Sequence, residues 1–213
     1  MTQTLDLLGL EPIIWRLQAA GIARTPNGSI FICPLEGGPL RYLHKIFDAR
    51  PANRRHELRT LLRFPPPDDY SAFMNQCNGV TLFDNCYSIY GLGTEVNRGL
   101  RLEDQRPILL PHEIEAADAL YGSSYPWRRI GSVAGYEQSF ELEICRTGEA
   151  GMRSVEGAVR AFPSFREMVC ALARLFDQFV SERGFRDTSQ QRMDGILMDF
   201  LQGKEAGSPH PWG

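Results

Sequence analysis

Residues Phe64–Gly93, FPPPDDYSAFMNQCNGVTLFDNCYSIYGLG, hold a breaker, a short helix, a sharp stop and a hairpin in succession. Pro65, Pro66 and Pro67 cannot lie inside a helix, but Asp68 or Asp69 can cap one that follows. Tyr70, Phe73, Met74 and Cys77 recur at helical spacing and give one apolar face. Asn78-Gly79 comes where that helix must stop, and glycine accepts the left-handed conformation of such an ending. Two apolar runs, Val80–Phe83 and Tyr87–Tyr90, flank Asp84-Asn85-Cys86 and read as a tight β-hairpin. Nothing in this stretch is chemically reactive.

Downstream the pattern stays with short strands. Pro111–Tyr121 is a helix closed by Gly122, and Trp127–Ala134 a strand. Gln138–Cys145 alternates strictly, with Phe140, Leu142 and Ile144 on one face and Ser139, Glu141 and Glu143 on the other. Two more strands are expected near Met152–Val155 and Ala158–Phe162. Ser164-Phe165-Arg166-Glu167 is a capping box, and it opens an amphipathic helix whose face runs from Phe165 to Val180 and whose stop is Gly184. A last helix covers about Gln190–Gln202, followed by a tail.

Upstream, Pro12 suits the first turn of a helix reaching Ala20, and Ser29–Cys33 reads as a strand ended by Pro34. Leu40–Asp48 and Ala52–Arg63 read as helices, the second with Arg55, Arg59 and Arg63 on one face as a solvated basic stripe. Strands in succession with helices gathered at the ends indicate an α+β fold, an antiparallel meander with helices packed around it. The expected organisation is one compact domain: a mainly helical segment over 1–63, an α+β core over 64–184, and a C-terminal helix and tail over 185–213.

Composition narrows the class. Of 213 residues, 43% are hydrophobic and 23% charged, the proportions of a globular protein. No apolar run approaches the roughly 18 residues of a membrane span, and the first residues lack a signal-peptide pattern, so a cytoplasmic protein without membrane attachment is expected. Five cysteines without a CxxC pair fit reduced, buried thiols better than zinc or disulfides. The net charge of -3 hides an acidic middle: residues 65–150 carry thirteen Asp/Glu against six Arg/Lys, which disfavours nucleic acid as a partner there.

Catalytic and metal motifs are incomplete. His112-Glu113 starts like a zinc-protease helix, but Ala116 stands where the second histidine is needed. Gly91-Leu92-Gly93 starts a dinucleotide fingerprint, yet position 96 is Val. His44, His56 and His210 are scattered, and no local motif marks a Cys–His pair. Glu141 and Glu143, about 6.5–7 Å apart along a strand, have a separation that glycoside hydrolysis uses. A solvated or partner-binding face is the simpler reading of them, and Glu137 stands just ahead on the same acidic segment. No cofactor, metal or catalytic residue is expected.

Two stretches together, DDYSAFMNQCNGVTLFDNCYSIYG and IGSVAGYEQSFELEI running on through GAVRAFPSFREMVCALARLF, resemble the SUKH superfamily. That group includes fungal cell-wall assembly regulators and bacterial immunity proteins paired with secreted toxins. The resemblance covers residues 64–182 and rests on Asn78 and Gly79 at the helix end, Ile130-Gly131 in the strand pair, and Ser164-Phe165 opening the helix. It implies an α+β binding protein without a catalytic site that sequesters a cognate toxin. An acidic surface at Glu137, Glu141 and Glu143 would steer a basic partner such as a nuclease toxin. A regulatory scaffold for a host protein, or an enzyme with a cryptic Cys–His or carboxylate site, are the alternatives.

Overall fold

The structure, a computed structural model, describes residues 7–48, 54–93, 101–135, 137–181, 183–185 and 192–204. Its frame is a nine-stranded sheet in which every strand pairs antiparallel with its neighbours in chain order. The strands are β1 (Ile22–Arg24), β2 (Ile30–Pro34), β3 (Tyr42–Ile46), β4 (Val80–Leu82), β5 (Tyr87–Ile89), β6 (Trp127–Ala134), β7 (Ser139–Cys145), β8 (Ala150–Ser154) and β9 (Val159–Phe162). The helices are α1 (Glu11–Trp15), α2 (Arg54–Leu62), α3 (Asp68–Gln76), α4 (Leu110–Tyr121), α5 (Phe165–Asp177) and α6 (Met193–Leu201). This is the expected α+β fold with an antiparallel meander.

The helix–hairpin unit forms as its residues dictate. Tyr70, Phe73 and Met74 of α3 are fully buried, and Tyr70 and Phe73 meet the Phe165 ring edge-on at 5.0 and 5.5 Å. Gly79 has φ 85°, and a Cβ there would lie 2.5 Å from the Ile89 carbonyl oxygen. Asn78 ties the unit together: its amide nitrogen donates to the Leu92 carbonyl and its oxygen accepts from the Leu92 N–H, both at 2.8 Å. The β4–β5 turn passes through Phe83, Asp84 and Asn85, all at positive φ. Neither aspartate caps α3. Pro67 takes the cap position, and Asp69 instead accepts from the Arg166 N–H in the first turn of α5 at 2.8 Å. The capping box is real on its serine side, Ser164 Oγ accepting from the Glu167 N–H at 3.2 Å.

The two sheet faces are covered differently. Phe140, Leu142 and Ile144 share a face with Val133, Tyr87 and Met152, and α5 packs there with Phe165, Met168, Val169, Leu172 and Phe176 fully buried. Phe176 stacks on Phe83 at 5.3 Å and on Tyr87 at 6.4 Å. The opposite face is crossed by α4, which packs on β6 with α2 beside it.

Four expectations are corrected. Residues 1–63 are not a mainly helical segment: β1, β2 and β3 lie there and extend the same sheet, so no boundary falls at 63. The Leu40–Asp48 helix is β3. As an interior strand it is buried on both faces (Leu43, His44, Ile46 and Phe47 are all under 5% exposed), so the alternation that marks a strand never shows. The first helix breaks after Trp15 into a short 3-10 turn, Gln18–Ala20. The helix from Ser164 ends at Asp177 rather than Gly184, which instead belongs to a small two-stranded hairpin with Val180–Ser181. The Arg55 side chain, His210 and the tail beyond Lys204 lie outside the described residues.

Candidate functional site

The acidic strand face becomes something else in three dimensions. Glu141 and Glu143 do alternate away from the core, but they face arginines on the flanking strands. Register puts Arg153 of β8 opposite Glu141, and Arg129 of β6 opposite Glu143. The ion pairs run diagonally: Arg153 Nε donates to Glu143 Oε2 at 2.9 Å, and Arg129 lies 3.4 Å from Glu141 and 3.0 Å from Glu113 of α4. The two strand carboxylates are thus neutralised by neighbours in the same sheet.

A roof of tyrosines closes over them. Tyr121, the last residue of α4, donates to Glu141 at 3.3 Å, and Tyr125 in the following loop donates to Glu143 at 3.1 Å. Their rings lie 5.0 Å apart. The Arg153 guanidinium sits 5.3 Å from the Tyr125 ring, and that of Arg129 is 5.8 Å from the Tyr90 ring. Glu143 is only 1% exposed. Burial raises its pKa above the ordinary value, opposed by the Arg153 hydrogen bond and charge. Burial also raises the Tyr125 and Tyr121 pKa values, helped by Glu143 and Glu141 respectively.

The exposed acidic pair expected from alternation is therefore corrected. The sequence pattern shows which residues leave the core, not what covers them on the other side. Glu137 is exposed but sits in the β6–β7 turn, where its N–H donates to Asp194 Oδ2 at 2.8 Å. It is not part of the Glu141–Glu143 cluster.

The loop carrying Tyr125 is held by Arg128, whose side chain is 8% exposed. Its guanidinium donates to the carbonyls of Leu62, Ser123 and Tyr125 at 3.1, 3.1 and 2.7 Å, and lies 3.6 Å from Asp118. One buried cation thereby fixes the end of α2, the end of α4 and the start of β6.

Beyond the tyrosines the same face carries Trp127 and Val159. A Cβ on Gly151 would lie 3.5 Å from the Trp127 ring and 3.7 Å from Val159, so those two side chains cover the buried Gly151 backbone. Tyr121 is 41% and Val159 42% exposed, and Leu120 at the end of α4 is 72% exposed. Tyr121, Tyr125, Arg153, Trp127 and Val159 form a continuous strip over Glu143 and Gly151. None of the five was singled out from the sequence. The usable signal was Trp127 followed by the strand pairing, since register alone sets Arg153 beside the glutamates.

Other reactive side chains are held away from activation. Cys86 is pushed up to about 12 by burial and by the Asp84 charge, and burial raises Cys170 as well, the opposite of what a thiolate nucleophile needs. Cys170 donates to the Leu8 carbonyl. Neither ring nitrogen of the buried His44 has a hydrogen-bond partner. A polar cleft of about 210 Å³ lies between Asn27, Ser29, Asp48 and Arg106. Asn78 also lines it, with its amide already spent on Leu92. Among the described residues no three His, Cys, Asp or Glu side chains are grouped to hold a metal, and no helix is long and apolar enough to cross a membrane.

Ile130 is fully buried and its carbonyl accepts from the Tyr90 N–H at 2.9 Å. Gly131 lies at the β6 bulge, where a side chain would meet the Ser88 carbonyl oxygen. No protein-family model, curated protein or solved structure matches the chain.

Proposed function

We propose that this chain is a non-catalytic protein-binding module, a cytoplasmic immunity protein of the SUKH kind that neutralises a secreted toxin by sequestration. The observation that carries the binding reading is the strip of Tyr121, Tyr125, Trp127, Arg153 and Val159 on the Glu143 face of the sheet. Tyrosine, tryptophan and arginine are the residue types that dominate binding energy in protein interfaces. Here they are held on a rigid sheet over a satisfied ion-pair layer, so little ordering entropy is lost on binding.

The partner's basic character loses its support, because the carboxylates that suggested it are paired with arginines. The partner remains a protein, a toxin domain, and the surface it meets is aromatic and near neutral. The direct test expresses the C-terminal domain of any secreted multi-domain protein encoded next to this gene, alone and with the chain. The expected result is growth arrest relieved by co-expression and a stable complex on gel filtration. Persistent arrest with two separately eluting proteins would reject the proposal.

A further inference from the structure

Among the described residues the sheet ends at β9, and the outer side of that strand is specified residue by residue. The Ser154 N–H donates to the Ala158 carbonyl at 2.9 Å, which fixes the parity of the β8–β9 ladder. Two residues on, Arg160 faces Met152, and Phe162 faces Ala150, as the bonded pairs. The N–H and C=O groups of Val159 and Ala161 therefore point away from the sheet. Among the described residues nothing takes up those four groups.

Natural edges are usually blunted by charge, proline or a bulge. β9 has no bulge, and its proline comes one residue late, at Pro163. Its one charge, Arg160, is turned toward α6: the guanidinium lies 4.0 Å from the Phe200 ring and donates to the Phe200 carbonyl. Val159 and Ala161 are exposed on the other face, beside Trp127.

We infer that β9 is a docking edge, and that its occupant is an extended segment of the partner protein added as a tenth, antiparallel strand. The inference rests on the protein-binding reading above and adds the mode of recognition. Main-chain bonds to Val159 and Ala161 supply the register, and the side-chain environment supplies the chemistry. Apolar residues opposite Val159 and Ala161 continue the aromatic strip. A carboxylate opposite Arg160 meets its guanidinium, of which only one nitrogen is spent on Phe200.

A second copy of this chain fits poorly. Two-fold pairing centred on Arg160 sets two guanidinium groups directly opposite, which is destabilising. Centred on Ala161, it pairs Val159 with Pro163, which has no N–H to give. Centred on Val159, it pairs Ala161 with Gly157, whose φ of 89° belongs to the turn.

The test uses two probes: a toxin domain selected by that co-expression test, and the peptide acetyl-Thr-Val-Glu-Val-Thr-amide at millimolar concentration. Amide hydrogen exchange is read by NMR on the full chain and on Ala161→Pro, which removes an outward N–H and no bond to β8. The expected result is protection of the Val159 and Ala161 amides by either probe. Ala161→Pro should melt like wild type and bind the toxin domain about tenfold more weakly. Toxin binding without protection, and with unchanged affinity for Ala161→Pro, overturns the inference while leaving the protein-binding reading intact. If the toxin domain does not bind at all, that reading falls, and the peptide decides: protection at both amides supports the docking edge, and none overturns it. Concentration-dependent protection in the isolated chain would put a second copy on the edge and also overturn it. Should Ala161→Pro fail to fold, a peptide N-methylated at the amides facing β9 replaces it, and undiminished binding of that peptide is the refuting result.

Discussion

Titration of the buried His44 limits the stability of this fold at acid pH. The residue lies on β3 between Ile32 and Leu82 on the neighbouring strands, 1% exposed, its ring edge-on to Phe83 at 5.0 Å. Burial, and then the charge of Arg16, push its pKa from 6.5 down to about 3. Between those values the unfolded chain binds a proton that the folded chain refuses, so stability is full above pH 6.5 and falls as pH drops. One pKa unit is about 1.36 kcal/mol, which puts the loss between pH 8 and pH 5 at about 2 kcal/mol. For a chain of this size that corresponds to a melting temperature lower by about 4–8 °C. His44→Leu removes the titrating group and two buried nitrogens without hydrogen-bond partners. It should be more stable than wild type by about 1 kcal/mol at pH 7.5 and by about 3 kcal/mol at pH 5. Urea unfolding of both proteins across pH 5–8, followed by tryptophan fluorescence, measures the difference. Parallel stability curves for the two proteins would show that His44 is not held neutral in the core.

Four further outcomes follow from the same structure. Arg128→Met leaves the buried Leu62 carbonyl and the part-buried carbonyls of Ser123 and Tyr125 without their donor and Asp118 with a weakened partner set, and should cost about 2–3 kcal/mol in urea unfolding. Gly79→Val forces a β-branched residue to φ 85° against the Ile89 carbonyl and should cost about 3 kcal/mol or more; an unchanged melting temperature would contradict the helix–hairpin junction. Glu141→Arg with Glu143→Arg would gather four guanidinium groups beneath Tyr121 and Tyr125, so loss of the folded state by circular dichroism is expected rather than a folded binding mutant. Glu143 has a raised folded-state pKa, so ionising it costs the folded state more than the unfolded one. The stability of wild type relative to Glu143→Gln should therefore fall as pH rises from about 4.5 through the raised value and level off above it.

The parts of the fold that were legible in the sequence are those where one face is wet or a special backbone geometry is required. Gly79, Ser164 and the alternation of Phe140, Leu142 and Ile144 each carry their own local signal, and each sits where that signal puts it. β3 was illegible for the opposite reason: flanked by β2 and β4 and covered on both sides, it has no polar face to reveal its period. The candidate site was illegible because its chemistry is assembled by register. Glu143 reads as exposed along its own strand, and only the β7–β8 pairing and the α4 crossing bring Arg153 and Tyr125 over it. Ion pairs between strands leave no spacing rule in the chain.

Strict sequence order in the sheet also decides where a partner can add, because among the described residues nine strands paired only with their chain neighbours leave two edges, β1 and β9. β1 is three residues long and lies between Gly21 and the turn at Thr25–Gly28, with Arg24 exposed on its last position. A short strand ending in a charge is the protected kind of edge. β9 has four residues, its outward groups at Val159 and Ala161 are open, and Arg160 is drawn off toward Phe200. The surface beside it is the only one of the two that carries a tryptophan and two tyrosines among the described residues. Directly behind that surface, Arg153–Glu143 and Arg129–Glu141 cross-link β6, β7 and β8 through their side chains as well as their ladders. A strand added at β9 therefore meets a support already held in its bound geometry. Its binding energy is not spent on ordering the sheet, which is the physical condition for a short extended segment to bind tightly.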